Sequence, residues 1–176
     1  MSSIREWVTV PEPDCFQTVT VPSATTLSSV PVSDVSTMNP KQLKQLYNGE
    51  RVKVMISEND ELVPVSDDYY SLAGLKAGSL AIKHAIKQSG LPDWKIEYIV
   101  LPTNDIEAAS ELLKNLNQSI NGGWRINIPR IFAKPISSYK AISVAAHHLG
   151  MKSHEVDMER RIRSMLFPNL SAPGSR

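Results

Sequence analysis

Charged and apolar side chains alternate along residues 51–57 (RVKVMIS), which predicts a strand with one buried face. A second strand is predicted over 94–101 (WKIEYIVL), where Pro102 closes it. Residues 62–65 read as a short edge strand, because Pro64 has no amide hydrogen for a ladder, and 124–132 (WRINIPRIF) read as an edge strand or a strand bent at Pro129. Helical spacing takes over elsewhere. Leu72, Leu75, Ser79, Ile82 and Ile86 fall on one stripe and predict a single helix over 68–89, stopped by Gly90. Ile106, Ala109, Leu113, Leu116 and Ile120 do the same after Asn104-Asp105-Ile106-Glu107, which fits a capping box, and Gly122-Gly123 break that helix. An earlier helix is framed by Asn39, Pro40 and Gly49, and two more, 138–149 and 154–167, meet at Gly150. Strands and helices mix without a regular βαβ rhythm. The pattern predicts an α+β domain over 38–168, with a small, mostly antiparallel sheet packed with about four to five helices.

Residues 11–37 break with this pattern. They are crowded with Pro, Ser, Thr and Val and hold only Phe16 and Leu27 as large core formers. Such a segment gains little by packing and loses much chain entropy by ordering. Residues 1–37 therefore read as an extended or disordered arm, and 169–176 as a disordered tail. Alternation at 5–10 and 16–21 allows short strands within the arm, on a sheet edge or in a partner; Phe16 is its candidate contact for self-association.

Composition narrows the class. The chain has 176 residues, enough for one core without staples, and its one cysteine, Cys15, excludes a disulfide framework and points to a reducing, intracellular setting. No apolar run reaches the ~20 residues of a transmembrane helix, and the start MSSIREWVTVPEPD lacks a signal-peptide core. The triplets at Asn117 and Asn169 are therefore expected to carry no sugar. The formal net charge of +1 hides an asymmetry. Residues 112–154 hold Lys114, Arg125, Arg130, Lys134, Lys140 and Lys152 and no acid, while the chain before them is net acidic. Two accounts stand level: ordinary surface lysines between apolar elements, or a positive face for phosphate, anionic lipid or an acidic patch on another copy. On the second, Trp124, Arg125, Arg130, Lys134, Lys140 and Lys152 are the candidate anion and partner contacts. Trp124 beside Arg125 is equally able to stack on a base, sit among lipid headgroups, anchor a protein interface or belong to the core.

The chemistry-bearing residues nominate no enzyme. There is no Gly-x-Ser-x-Gly elbow, Walker loop, dinucleotide glycine signature or His-Glu-x-x-His. Cys15 has no neighbouring cation to make a thiolate. His147, His148 and His154 include no i, i+4 pair, so surface or capping roles are expected in place of a metal site, and no cofactor is implied. Gly74 and Gly78 admit close approach of another backbone, either inside the domain or from a second subunit. The stretch from Ala146 through Gly150 to Val156 fits two angled helices of helix-turn-helix type, with Val156 packing back. As a nucleic-acid reader it would use Lys152, Arg160, Arg161 and Arg163, but Glu155, Asp157 and Glu159 would meet the phosphates first.

This layout resembles the small matrix proteins of rhabdoviruses, especially those of plants. The likeness is one of plan over the whole chain: the Pro/Ser/Thr/Val arm, a mixed domain without catalytic motifs, and a basic stretch with Trp124-Arg125, Arg130 and Lys134. It departs from animal members, which often carry Pro-Pro-x-Tyr or Pro-Ser/Thr-Ala-Pro: here Pro22-Ser23-Ala24-Thr25 lacks the final proline. The resemblance implies a structural, virion-associated protein that self-associates, condenses a nucleocapsid and bridges it to an anionic membrane from the cytoplasmic side. The rival expectation is a helix-turn-helix nucleic-acid-binding regulator.

Overall fold

The computed structural model describes residues 17–22, 35–58, 60–103, 105–122 and 135–168. Five strands carry the sheet: β1 (Gln17–Thr20), β2 (Arg51–Glu58), β3 (Glu61–Pro64), β4 (Tyr70–Ser71) and β5 (Ile96–Leu101). Six helices accompany them among the described residues: α1 (Pro40–Tyr47), α2 (Leu72–Gly78), α3 (Leu80–Ser89), α4 (Ile106–Gly122), α5 (Ile136–His148) and α6 (Lys152–Leu166). The architecture is α+β. The sheet runs β1-β5-β2-β3, with β4 paired to the start of β2.

The expectation of a mostly antiparallel sheet is corrected. β1 and β5, and β5 and β2, are parallel; only β3 and β4 are antiparallel to β2. Parallel neighbours need a long crossover, and each pair here has one: α2 and α3 lie between β2 and β5 in the chain, and these with α1 lie between β1 and β5. β1 also falls inside the segment read as an arm. Its alternation places Val19 and then Val21 in the core while Thr18 and Thr20 face out, and Val21 continues the ladder by donating to the Val100 carbonyl at 2.8 Å. Residues 1–16, Phe16 among them, 23–34 and 169–176 lie outside the described residues.

One core joins the elements. Val52, Val54 and Ile56 of β2, Ile99 and Leu101 of β5 and Val19 of β1 form the strand side, and helix residues close it. α4 is the hub, burying Ala108, Ala109, Leu112, Leu113, Leu116 and Ile120 and touching α1, α2 and α5. Fully buried aliphatics of this kind each contribute roughly 1.5–3 kcal/mol relative to exposure. Gly74 and Gly78 serve this packing. A Cβ on Gly74 would stand 2.6 Å from Ile120 Cδ1, and one on Gly78 would stand 2.7 Å from the Leu116 methyls. The close approach proposed for a second subunit is thus taken up by α4 of the same chain.

The helix expected over 68–89 is two helices, because Ser79 changes its task from stripe residue to cap. Its backbone is extended, at φ −125°, and its hydroxyl accepts from the Ile82 amide at 3.2 Å to start α3. The same hydroxyl donates to the Leu149 carbonyl at 2.7 Å, at the end of α5. Ser71 caps α2 likewise, accepting from Gly74 N at 3.1 Å and donating to the Leu46 carbonyl. At α1 the expected start is met, with Asn39 as cap and Pro40 first in the helix. Gln42 adds a capping box, each side chain 2.9 Å from the other's amide, while the helix ends through extended Asn48, with Gly49 at φ +144°.

Gly150 turns the chain from α5 into α6 at φ +62°, and a Cβ there would meet Leu80 Cβ at 2.9 Å. Gly90 has a similar φ of +66° but open space around it. The pair separates two costs. Gly90→Ala is expected to lose about 1–2 kcal/mol from the left-handed backbone alone. Gly150→Ala should lose about 1 kcal/mol more from overpacking against α3. Urea denaturation of both variants measures the difference.

Candidate functional site

The α5–α6 corner is built from small and buried residues. Ala146 is fully buried, and its carbonyl accepts from Met151 N at 2.8 Å across the turn. Below it, His154 is 1% exposed, and its Nε2–H donates to Oδ1 of the buried Asn115 on α4 at 3.2 Å. Met158, one turn on, is fully buried. Two expectations change here. His154 belongs to the interior, where an imidazole needs a polar partner and Asn115 supplies one. Val156 does not pack back: it is 41% exposed, because the α6 face turned inward is the one carrying His154 and Met158.

The outer side of the corner is ionic. Glu155 accepts from Lys152 Nζ and from His147 Nδ1–H, both at 3.1 Å. Burial pushes its pKa up, but the two hydrogen bonds and the charges behind them outweigh that, and the carboxyl sits below its ordinary value. Lys152, expected to greet an external anion, thus has an internal one. Asp157 holds Arg161 Nε at 3.2 Å and stands 3.6 Å from Arg160 Nη1, so two of the three arginines proposed for phosphate are drawn to a carboxylate of their own helix. Arg163 and Lys140 are exposed, on α6 and α5. Trp124, Arg125, Arg130 and Lys134 lie outside the described residues. The described part of the basic stretch thus brings Lys152 to Glu155 and leaves Lys140 about two turns back along α5. Among the described residues no group of three or more His, Cys, Asp or Glu is placed to hold a metal ion.

The surface that the sequence did not announce lies on the outer face of the sheet. Alternation in β2 that sends Val52, Val54 and Ile56 inward sends Arg51 and Lys53 outward. The Arg51 guanidinium sits 4.2 Å over the Tyr47 ring, and Lys53 Nζ sits 4.9 Å over the Tyr69 ring. Arg51 also donates to the Tyr69 carbonyl at 3.3 Å, and Lys53 to the Asp67 carbonyl at 3.0 Å. Register places Lys53 beside Tyr98 of β5. A hydrogen bond to the adjacent Glu97, and its negative charge, raise the Tyr98 phenol above its ordinary value. The result is a strip, Tyr47–Arg51–Tyr69–Lys53–Tyr98, in which rings and cations are interleaved. Its only sequence signal is the odd-numbered basic residues of β2. The rings come from a helix end, a loop and a strand: register brings Tyr98 beside Lys53, and the ring–cation contacts bring Tyr47 and Tyr69.

A groove of about 640 Å³ opens between the turn after β5 and α5, lined by Pro102, Thr103, Ile106, Val144, Ala145 and His148 among others. Asp105, at its rim, works as a cap for α4: its Oδ1 accepts from Ala108 N at 2.9 Å and its amide donates to Thr103 Oγ1 at 3.3 Å. The groove therefore has an apolar wall and one imidazole at its edge.

Compared with protein-family models, curated proteins and solved structures, the chain matches none.

The Glu155 arrangement has a pH signature. A carboxyl held below its ordinary value adds stability above the ordinary glutamate range and loses it as pH falls through the folded value. Glu155→Gln should therefore destabilise at neutral pH, by less than about 1 kcal/mol since Lys152 and His147 are largely exposed. Urea titrations at stepped pH should show the gap from the parent protein closing as pH drops below that range.

Proposed function

We propose that the protein is a non-enzymatic assembly protein of the matrix type, which self-associates and joins a nucleocapsid to an anionic membrane. The observation that carries this reading is the interleaved strip on the outer sheet face. Tyr and Arg are the residues that supply binding energy at protein interfaces. Here the rings of Tyr47 and Tyr69 are already held by Arg51 and Lys53, so less side-chain freedom remains to be lost on contact. Tyr69 is 51% exposed, and Leu62, opposite Ser57 on the edge strand, is a further exposed apolar side chain at 50%.

Three further features support the reading. The acid-free stretch from 112 to 154, apart from Lys152, which Glu155 engages, offers positive charge to a nucleocapsid or lipid headgroups. Among the described residues no helix is long and apolar enough to cross a membrane, so the contact proposed for them is peripheral. The layout resembles that of rhabdovirus matrix proteins. Against the rival regulator stands the pull of Asp157 on Arg160 and Arg161, together with the engagement of Lys152 by Glu155.

Sedimentation velocity of the full chain at low and high salt tests the proposal. Concentration-dependent oligomers are expected, and Tyr69→Ala with Tyr98→Ala should weaken association by tenfold or more, roughly 1.4 kcal/mol. A strictly monomeric profile at high concentration and low salt would overturn it. In a separate comparison, Arg125→Glu with Arg130→Glu should impair assembly, whereas Arg160→Glu with Arg161→Glu should not. Loss of duplex-DNA binding with a steep salt slope in the second pair would favour the regulator.

A further inference from the structure

The inward stripe of α6 runs off the end of the domain. His154 is 1% exposed and Met158 fully buried, and Ile162 packs against the core only in part. Met165, next on the same line, is 43% exposed. Leu166 and Phe167 follow at 52% and 55%. Each residue advances about 100° around a helix, so these three consecutive apolar side chains cover roughly 200° of the tip, with Arg161 and Ser164 on the remaining side. No carboxylate follows Glu159 among residues 160–168, while Arg160, Arg161 and Arg163 lie one to two turns behind the tip. Arg163 is exposed; Arg160, its side chain 75% exposed, stands 3.6 Å from Asp157 and shares that carboxylate with Arg161, which holds it at 3.2 Å.

Several partners would cover exposed apolar side chains, and the geometry separates them. A groove on another protein touches one narrow stripe of a helix and would leave part of so broad an apolar tip in water. Duplex nucleic acid would match the arginines and gain little from Met165, Leu166 and Phe167. A bilayer surface accepts apolar side chains from every direction, to a depth of about 5–10 Å. Arg163 and Arg160 stand roughly 6 and 10 Å back from Phe167 along the axis, which is headgroup level when the tip is immersed. Cations at that level match anionic lipid.

We infer that the end of α6, Met165-Leu166-Phe167 with Arg160 and Arg163 behind it, is a peripheral docking element for an anionic lipid surface. It deepens the proposed function, on which it rests for the membrane as partner, and it moves the point of contact from the basic stretch before α5 to the last turn of α6. The two lie in different residues and can fail separately.

The test is cosedimentation of the full chain with vesicles of phosphatidylcholine containing phosphatidylserine, and of phosphatidylcholine alone. Leu166→Asp with Phe167→Asp should lower retention on the anionic vesicles about tenfold or more, with an unchanged thermal midpoint because both side chains are exposed. Arg160→Gln with Arg163→Gln should erase the preference for the anionic vesicles. Full retention of the Asp variant overturns the docking element. If Arg125→Glu with Arg130→Glu then abolishes binding, the matrix reading survives and the contact returns to the basic stretch. Absence of retention for the parent protein overturns the docking element and the membrane half of the proposed function, while its self-association stands on sedimentation alone. Loss of oligomers, with retention unchanged, in the Asp variant overturns the inference in favour of a second copy as partner.

Discussion

The fold depends on a junction between residues far apart in sequence: the Leu149 carbonyl, at the end of α5, accepts the Ser79 hydroxyl at 2.7 Å and the Ala81 amide at 3.3 Å. Ser79, Leu149 and Ala81 are all buried, so these groups have little water to fall back on. The extended backbone of Ser79 therefore ends α2, and its hydroxyl begins α3 and fixes the α5–α6 hairpin against the α/β layer. Gly150 rests on Leu80 directly beside it, which sets how closely the hairpin approaches. His154 and Asn115 repeat the device one layer over, between α6 and α4. Two buried polar contacts thus define the angle at which a largely aliphatic core comes together.

Much of this was legible in the pattern of side chains. The positions of α1, β2, β5, α4, α5 and α6 follow from periodicity and punctuation, and Asn39 as the cap of α1 could be read directly from the letters. The split of 68–89 was not legible, because Ser79 suits a buried stripe by spacing and a cap by chemistry, and only the Leu149 carbonyl decides between them. The strand directions were missed for a related reason. β2 alternates as an antiparallel strand with one solvated face does, yet its neighbour β5 is parallel. Parallel strands usually betray themselves by continuous apolar runs buried on both faces. Here Arg51 and Lys53 face outward, and that signal is absent.

The candidate surfaces were harder to see. The basic stretch drew attention because like charges without acids stand out in a string. Folding shows how little a string says about pairing: Lys152 meets Glu155 three residues on, and Arg161 meets Asp157 four residues back. The Tyr47–Arg51–Tyr69–Lys53–Tyr98 strip had the opposite fate. Its members are scattered over some fifty positions and share no motif, so only register and a loop's path bring them together. The end of α6 lies between these cases. Its spacing reads as an ordinary amphipathic helix, and what sets it apart is the point at which the supporting layer stops.

The parallel pairing of β1 also bears on how the chain comes to be folded. Thr18 finds its place beside Tyr98, so the outermost strand cannot dock until everything through β5 has been synthesised and has left the ribosome. Contacts of such long sequence separation slow folding, since the intervening loop must close before they form. Until then Val19 and Val21, both destined for the interior, remain solvated on a nascent chain. Residues around β1 are accordingly where a chaperone, or an early encounter between two unfinished copies, would find its opening.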